Sequence, residues 1–117
     1  MRALALLLTS FAISANAQQV GGDNVWVLGS GNVSCGKWLE EKDNKAARAQ
    51  RMQWLLGYVT AYNWHHTSRQ AQLQDGPSAL AFVDRYCSNN PLHTVVSAAG
   101  ALVEELGGPK SGYRWRK

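Results

Sequence analysis

Two kinds of apolar pattern run along this chain, one continuous near the start and the rest periodic. Ala3 to Ile13 form an almost unbroken apolar run behind Met1 and Arg2. Further on, Cys35, Trp38 and Leu39 fall at i, i+3 and i+4 behind Ser34. Ser34 can cap a helix, so a short first helix is predicted there. Asp43-Asn44 breaks it. From about Lys45 to Trp64, Met52, Leu55, Leu56, Val59 and Tyr62 make a stripe at helical spacing, with Arg48, Arg51 and Gln53 on the other side. Gly57 lies inside this stripe, where a missing side chain would let a neighbouring helix approach closely. His65 to Gly76 lacks any apolar period and reads as a loop. Asp75-Gly76-Pro77-Ser78 marks the entry to a third helix. That helix carries Leu80, Val83 and Cys87 on one face, with Phe82 and Tyr86 on its flank. Asn89-Asn90-Pro91 ends it and starts a fourth, because proline fits a first helical turn and asparagine caps well. Leu92, Val95, Val96, Ala99, Leu102, Val103 and Leu106 trace one face of that helix, and Gly107-Gly108-Pro109 stops it.

The expected fold is all-α: a small four-helix, disulfide-stapled bundle with a short extended N-terminal arm. Its core is expected to contain Leu39, Leu55, Leu56, Val59, Val83, Val96, Ala99 and Val103. Ahead of the bundle, Val25-Trp26-Val27-Leu28 is too apolar to float in water and is expected to pack against it. Gly29-Ser30-Gly31 reads as a flexible turn, without the strand, helix and lysine context of a phosphate loop. The organisation is then a leader over 1–17, an arm over 18–33, the helical domain over 34–107 and a flexible basic tail over 108–117.

The apolar run near the start is shorter than the roughly 20 residues that a bilayer requires. Followed by Ala15-Asn16-Ala17, it has the form of a secretory leader cleaved after Ala17. The mature chain is therefore expected to begin at Gln18, outside the cytoplasm, in the periplasm. Gln18, not a cysteine, stands directly after the cleavage point, which argues against a bacterial lipid anchor. The two cysteines, Cys35 and Cys87, are in an oxidising compartment most simply a disulfide. The rival readings make Cys35 a nucleophile or both cysteines metal ligands. The formal net charge is +4, part of which, Arg2, leaves with the leader. In an exported protein this balance is most simply that of a soluble basic surface, and its functional readings are anionic envelope surfaces or an acidic protein partner, away from nucleic acid. The basic residues are scattered apart from the last few.

Chemistry is sparse. Adjacent histidines such as His65 and His66 point about 100° apart on a helix and rarely share one metal, and His93 is the only other histidine. Ser34 is not in a nucleophile elbow. The carboxylates, Glu40-Glu41 and Glu104-Glu105 among them, look like solvated helix faces. No catalytic residue, metal site or cofactor is expected, and the protein is read as no enzyme. Asn32-Val33-Ser34 matches a glycosylation acceptor, but the leader is bacterial in style. Of the five tryptophans, Trp38 and Trp54 fall on or beside apolar stripes and suit a core, and Trp26 and Trp64 suit the bundle ends. Trp115 sits among Tyr113, Arg114, Arg116 and Lys117, a mixture that suits an anionic lipid interface or a groove on a partner. Tyr113, Arg114, Trp115 and Arg116 are the candidate contact residues.

Three motifs then combine. Ser34-Cys35-Gly36-Lys37-Trp38-Leu39, Trp54-Leu55-Leu56-Gly57-Tyr58 and Tyr86-Cys87-Ser88-Asn89-Asn90-Pro91-Leu92 together resemble small secreted proteobacterial proteins related to the HdeA/HdeB acid-stress chaperones. The likeness covers roughly Ser34 to Leu106. It implies that Cys35 and Cys87 make the family's interhelical disulfide, and that the protein is non-catalytic and binds other proteins in a stress or chaperone-type role. The second and third motifs also resemble periplasmic immunity proteins of type VI secretion systems, which bind and neutralise one toxic enzyme.

Overall fold

The computed structural model describes residues 26–108. The expected leader, the first part of the arm and the tail from Pro109 on, with Tyr113, Arg114, Trp115 and Arg116, lie outside the described residues. Within 26–108 the chain is all-helical: a 3-10 helix, Gly29–Asn32, then α1 Cys35–Glu40, α2 Lys45–His65, α3 Gly76–Asn89 and α4 Val95–Glu105. Among the described residues, extended pairing is limited to one antiparallel bridge between Ser34 and Thr94.

Each helix starts where a side chain or a bridge can satisfy its free backbone donors. Ser34 caps α1 by accepting the Lys37 N–H at 3.1 Å. Asn44 caps α2 through the Ala47 N–H at 3.0 Å, and Asp75 caps α3 through the Ser78 N–H at 2.7 Å. These hydrogen bonds hold the Asp75 carboxyl below its ordinary value.

Helix α4 begins later than the sequence pattern suggests. Thr94, not Asn90, is its N-cap residue, and it makes no side-chain cap bond. Residues 91–94 form a connector beside the first helix: the Cys35 N–H donates to the His93 carbonyl at 2.8 Å, and the Val95 N–H donates to the Val33 carbonyl at 2.9 Å. Leu92, read as the first apolar residue of α4, consequently lies 96% exposed. At the far end Gly107 adopts φ +89°. Its N–H reaches the Glu104 carbonyl, and the Gly108 N–H reaches the Val103 carbonyl at 2.9 Å, so the last turn closes as a Schellman motif.

Cys35 and Cys87 form a disulfide that ties the start of α1 to the end of α3. It closes a sequence separation of 52 residues, for which chain entropy gives about 4 kcal/mol. Around it the core gathers Trp38, Leu55, Val59, Ala79, Val83, Val95, Ala98, Ala99, Leu102 and Val103, with Ala71 sealing it from the 66–75 loop. Leu39 is only partly buried against this cluster. Leu56 and Val96 are half-exposed, and neither belongs to the core. Helix α2 turns the line Arg51, Leu55, Val59 inward, which rotates Leu56 toward its edge. In α4 the small residues Ser97, Ala98 and Ala99 take the centre of the packed face.

The loop after α2 is held by side chains of the helix it leaves. Asn63 clamps Ala71 with two hydrogen bonds, 2.9 Å from its amide nitrogen to the Ala71 carbonyl and 2.7 Å from the Ala71 N–H to its oxygen. Tyr62 stacks on His66. Ahead of α1, Gly29-Ser30-Gly31 is no loose turn but part of the 3-10 helix laid over Trp54, whose indole N–H donates to the Leu28 carbonyl at 2.8 Å. A Cβ on Gly31 would lie 2.3 Å from the Trp54 ring and 2.5 Å from Val27. Gly57, by contrast, faces open space, so among the described residues no helix makes the close approach that its place in the pattern suggested.

Candidate binding surface

Helices α1, α2 and α3 meet at a polar hub as well as at the disulfide. Trp38 is fully buried, and its indole N–H donates to Asp84 Oδ1 at 2.7 Å. Arg48 grips the same carboxylate with both guanidinium nitrogens, at 2.8 and 2.9 Å. The Arg48 and Arg51 guanidiniums lie 5.2 and 5.8 Å from the Trp38 ring centre, within cation–π range. Arg51 in turn pairs with Glu41, which also holds Lys37 at 3.1 Å. Arg48 and Arg51 therefore do not stand on a solvent face as their spacing suggested. Arg51 is only 7% exposed, its Nε has no partner, and burial lowers its guanidinium from the ordinary value. Buried charge is tolerated where it is paired, and breaking such a pair costs far more than the pair contributes. The hub is thus a specific clasp on three helices.

Two of the three histidines are occupied locally. His66 stacks on Tyr62, with ring centres 4.4 Å apart. His93 Nδ1 lies 2.7 Å from the Tyr86 hydroxyl. Burial and the charge of Glu104 push that tyrosine above its ordinary value. Among the described residues no group of three or more His, Cys, Asp or Glu is placed to hold a metal ion. With the sulfurs of Cys35 and Cys87 bonded to each other, neither can be a nucleophile or a thiolate ligand.

What the surface offers instead is apolar. Trp26, Leu28, Trp64 and Leu92 are 89, 75, 80 and 96% exposed. Trp26 therefore does not pack as the sequence suggested, although Val27 behind it is half-buried. Trp38 is core, whereas Trp54 is half-buried under the 3-10 helix and stacked on Tyr58. Trp64 does not cover the bundle end but stands out from the last turn of α2. Beside it lies an open hollow of about 400 Å³ lined by Thr60, Asn63, Trp64, Thr67 and Gln70. No charged side chain lines it. The candidate contact residues Tyr113, Arg114, Trp115 and Arg116 lie outside the described residues. The sequence reading set Trp64 over a bundle end because it falls only two residues past Tyr62, the last residue of the α2 stripe.

Searches against protein-family models, curated proteins and solved structures find no match to this chain. Among the described residues no helix is long and apolar enough to cross a membrane.

Proposed function

We propose that the protein acts by binding other proteins outside the cytoplasm, without transforming a substrate, in a stress or chaperone-type role like that of the HdeA/HdeB group. The observation that carries the binding role is the set of large apolar side chains held in water on a clasped domain, Trp64 above all. Tryptophan on a pre-positioned element is the side chain most enriched among residues that dominate protein interfaces, since it buries a large area and loses little freedom.

The chaperone form of this reading draws on α4. Helices α1 to α3 are joined by the disulfide and the hub, whereas α4 is attached by packing, by the short bridge at Thr94 and by the Tyr86–His93 contact. It turns Val95, Ala98, Ala99, Leu102 and Val103 inward, so its release would present an apolar strip to a client. Strong acid removes carboxylate charge and leaves the cations to repel one another. Opening by repulsion weakens as salt screens the charges.

The test takes the oxidised mature protein from neutral pH to about pH 2, below the ordinary carboxylate range. Apolar-dye binding and suppression of client aggregation are followed with and without added salt. Dye binding and client protection in acid, both reduced by salt, are expected. A chain that stays folded, dye-free and without effect on clients in acid overturns the chaperone form.

Trp64 and its uncharged hollow favour a second form, an immunity or inhibitor protein that holds one toxic enzyme at neutral pH. Replacing Trp64 by alanine should then abolish inhibition of an enzyme encoded beside this protein while leaving thermal unfolding unchanged. Full inhibition by that variant removes the second form.

A further inference from the structure

The hollow beside Trp64 is built by two stretches of chain that the fold fastens to each other. Thr60, Asn63 and Trp64 stand at i, i+3 and i+4 on one face of α2, and Thr67 follows in the turn that ends it. Gln70 comes from the returning loop. Both of its neighbours are tied back to α2. The Arg69 carbonyl accepts from the Tyr62 hydroxyl at 3.4 Å, and Ala71 is held by its two bonds to Asn63. Because Ala71 takes up both polar atoms of the Asn63 side chain, that residue forms wall and not contact. Thr60 donates its hydroxyl to the Leu56 carbonyl at 2.7 Å, which leaves the oxygen able to accept. Thr67 and Gln70 are exposed at the rim and bring a hydroxyl and an amide, each of them donor and acceptor at once. The indole of Trp64, 80% exposed, adds a broad apolar face.

This combination selects a ligand chemistry. No charged side chain lines the hollow, so an ion would give up hydration there without meeting a counter-charge. A purely apolar ligand would cover the hydroxyls and the amide without pairing them. A neutral polyhydroxylated ring meets both demands. Its C–H face lies on the electron-rich face of the indole, and its hydroxyls pair with the uncharged donors and acceptors around it. We propose that the hollow is a binding site for a neutral saccharide, with Trp64 as the stacking platform and Thr60, Thr67 and Gln70 as the hydrogen-bonding rim. Rings with all substituents equatorial, such as β-linked glucose or N-acetylglucosamine, suit it best, because both of their faces present only C–H groups. At about 400 Å³ the hollow falls within the roughly 300–1,000 Å³ of small-ligand sites. It is open, so part of the ring stays in water and the dissociation constant is expected on the order of 1 mM. This role goes beyond protein binding, for which Trp26, Leu28 and Leu92 offer exposed apolar area elsewhere. Leu28, for example, lies at Trp54, about 15 Å along α2 from Trp64.

The experiment titrates the oxidised mature chain with cellotriose and with the trimer of N-acetylglucosamine, following backbone amide and indole N–H resonances by NMR. Glycerol serves as the control for a general solvent effect. At about 20 mM, well above a dissociation constant on the order of 1 mM, at least one trimer should shift the Trp64 indole and the amides between Thr60 and Ala71. Trp64→Ala should weaken binding roughly 5- to 100-fold, the loss that follows removal of an aromatic stacking platform, with the thermal melt unchanged. Trp64→Phe keeps a smaller platform and should fall between the two. Thr67→Val with Gln70→Leu should weaken binding while the platform stays in place, and Trp26→Ala should leave it unchanged. No saturable shift from either trimer overturns the proposal. So does a response to glycerol equal to that to the sugars, or an equal loss from Trp26→Ala and Trp64→Ala. If Trp64→Ala instead loses client protection or enzyme inhibition while neither trimer shifts the wild type, the hollow belongs to a protein partner and the saccharide proposal falls.

Discussion

Replacing Asp84 by alanine should be the most damaging single change on the half-exposed surface of this domain. The carboxylate accepts from the fully buried Trp38 indole and from both ends of the Arg48 guanidinium. Removing it strands a buried N–H, at a cost of about 1–3 kcal/mol. It also frees Arg48, whose side chain is 18% exposed and can partly recover its water, so the second loss is smaller than for a fully buried pair. Together these suggest about 3 kcal/mol, or a fall in melting temperature of roughly 12–24 °C for a domain of this size. Asp84→Asn keeps an acceptor for the indole and should lose only about half as much. The assay is urea unfolding of the oxidised protein followed by tryptophan fluorescence, with Arg48→Ala and the double variant completing a cycle. A loss below about 0.5 kcal/mol for Asp84→Ala, in the range of an ordinary surface change, would refute the clasp.

Leu55→Ala should cost about 2–5 kcal/mol in urea unfolding, and Leu56→Ala, one residue along but half-exposed, much less; equal losses would mean that α2 faces the core differently. Asp75→Ala should destabilise α3 at neutral pH. Because the folded carboxyl is held below its ordinary value, that stabilisation is present above the unfolded pKa and is lost as pH falls through the folded one, so wild type and variant should melt alike in strong acid. Gly31→Ala should displace the 3-10 helix from Trp54 and shift tryptophan emission to the red while the far-ultraviolet dichroism of the bundle stays helical; unchanged emission would contradict the packing of that segment.

The architecture was largely legible because helical spacing, caps and cysteines all operate locally. Ser34 and Asp75 announce their helices by chemistry that acts within three residues, and two cysteines leave one possible pairing. The start of α4 misled because Asn90 and Pro91 carry an ordinary helix-start signal, while the connector they open is held by a bridge to Val33 and Cys35, far away in sequence. Arg51 lies in line with Leu55 and Val59, but its charge argues for solvent unless the partner, Glu41 on another segment, is known. Asp84 carries no local sign of its role, since its partners are 46 and 36 residues away. Leu56 and Val96 belong to stripes wider than the face actually buried. The exposure of Trp64 depends on where the chain turns after α2, which spacing alone does not determine.

Helix α1 has six residues, far fewer than the roughly 12–15 that an isolated helix needs to be even marginal in water. Its order therefore comes from outside: the covalent link at Cys35, the bridge to Thr94 and the seat of Trp38. While the sulfur link is intact, amide protons from Trp38 to Glu41 should exchange with solvent only when the whole domain opens. Once it is reduced, the same protons should exchange through a local fraying of α1, at a lower opening free energy than those of Leu55 and Val59. The shortest helix would then report the redox state of the molecule in its exchange rates before any loss of the fold is visible.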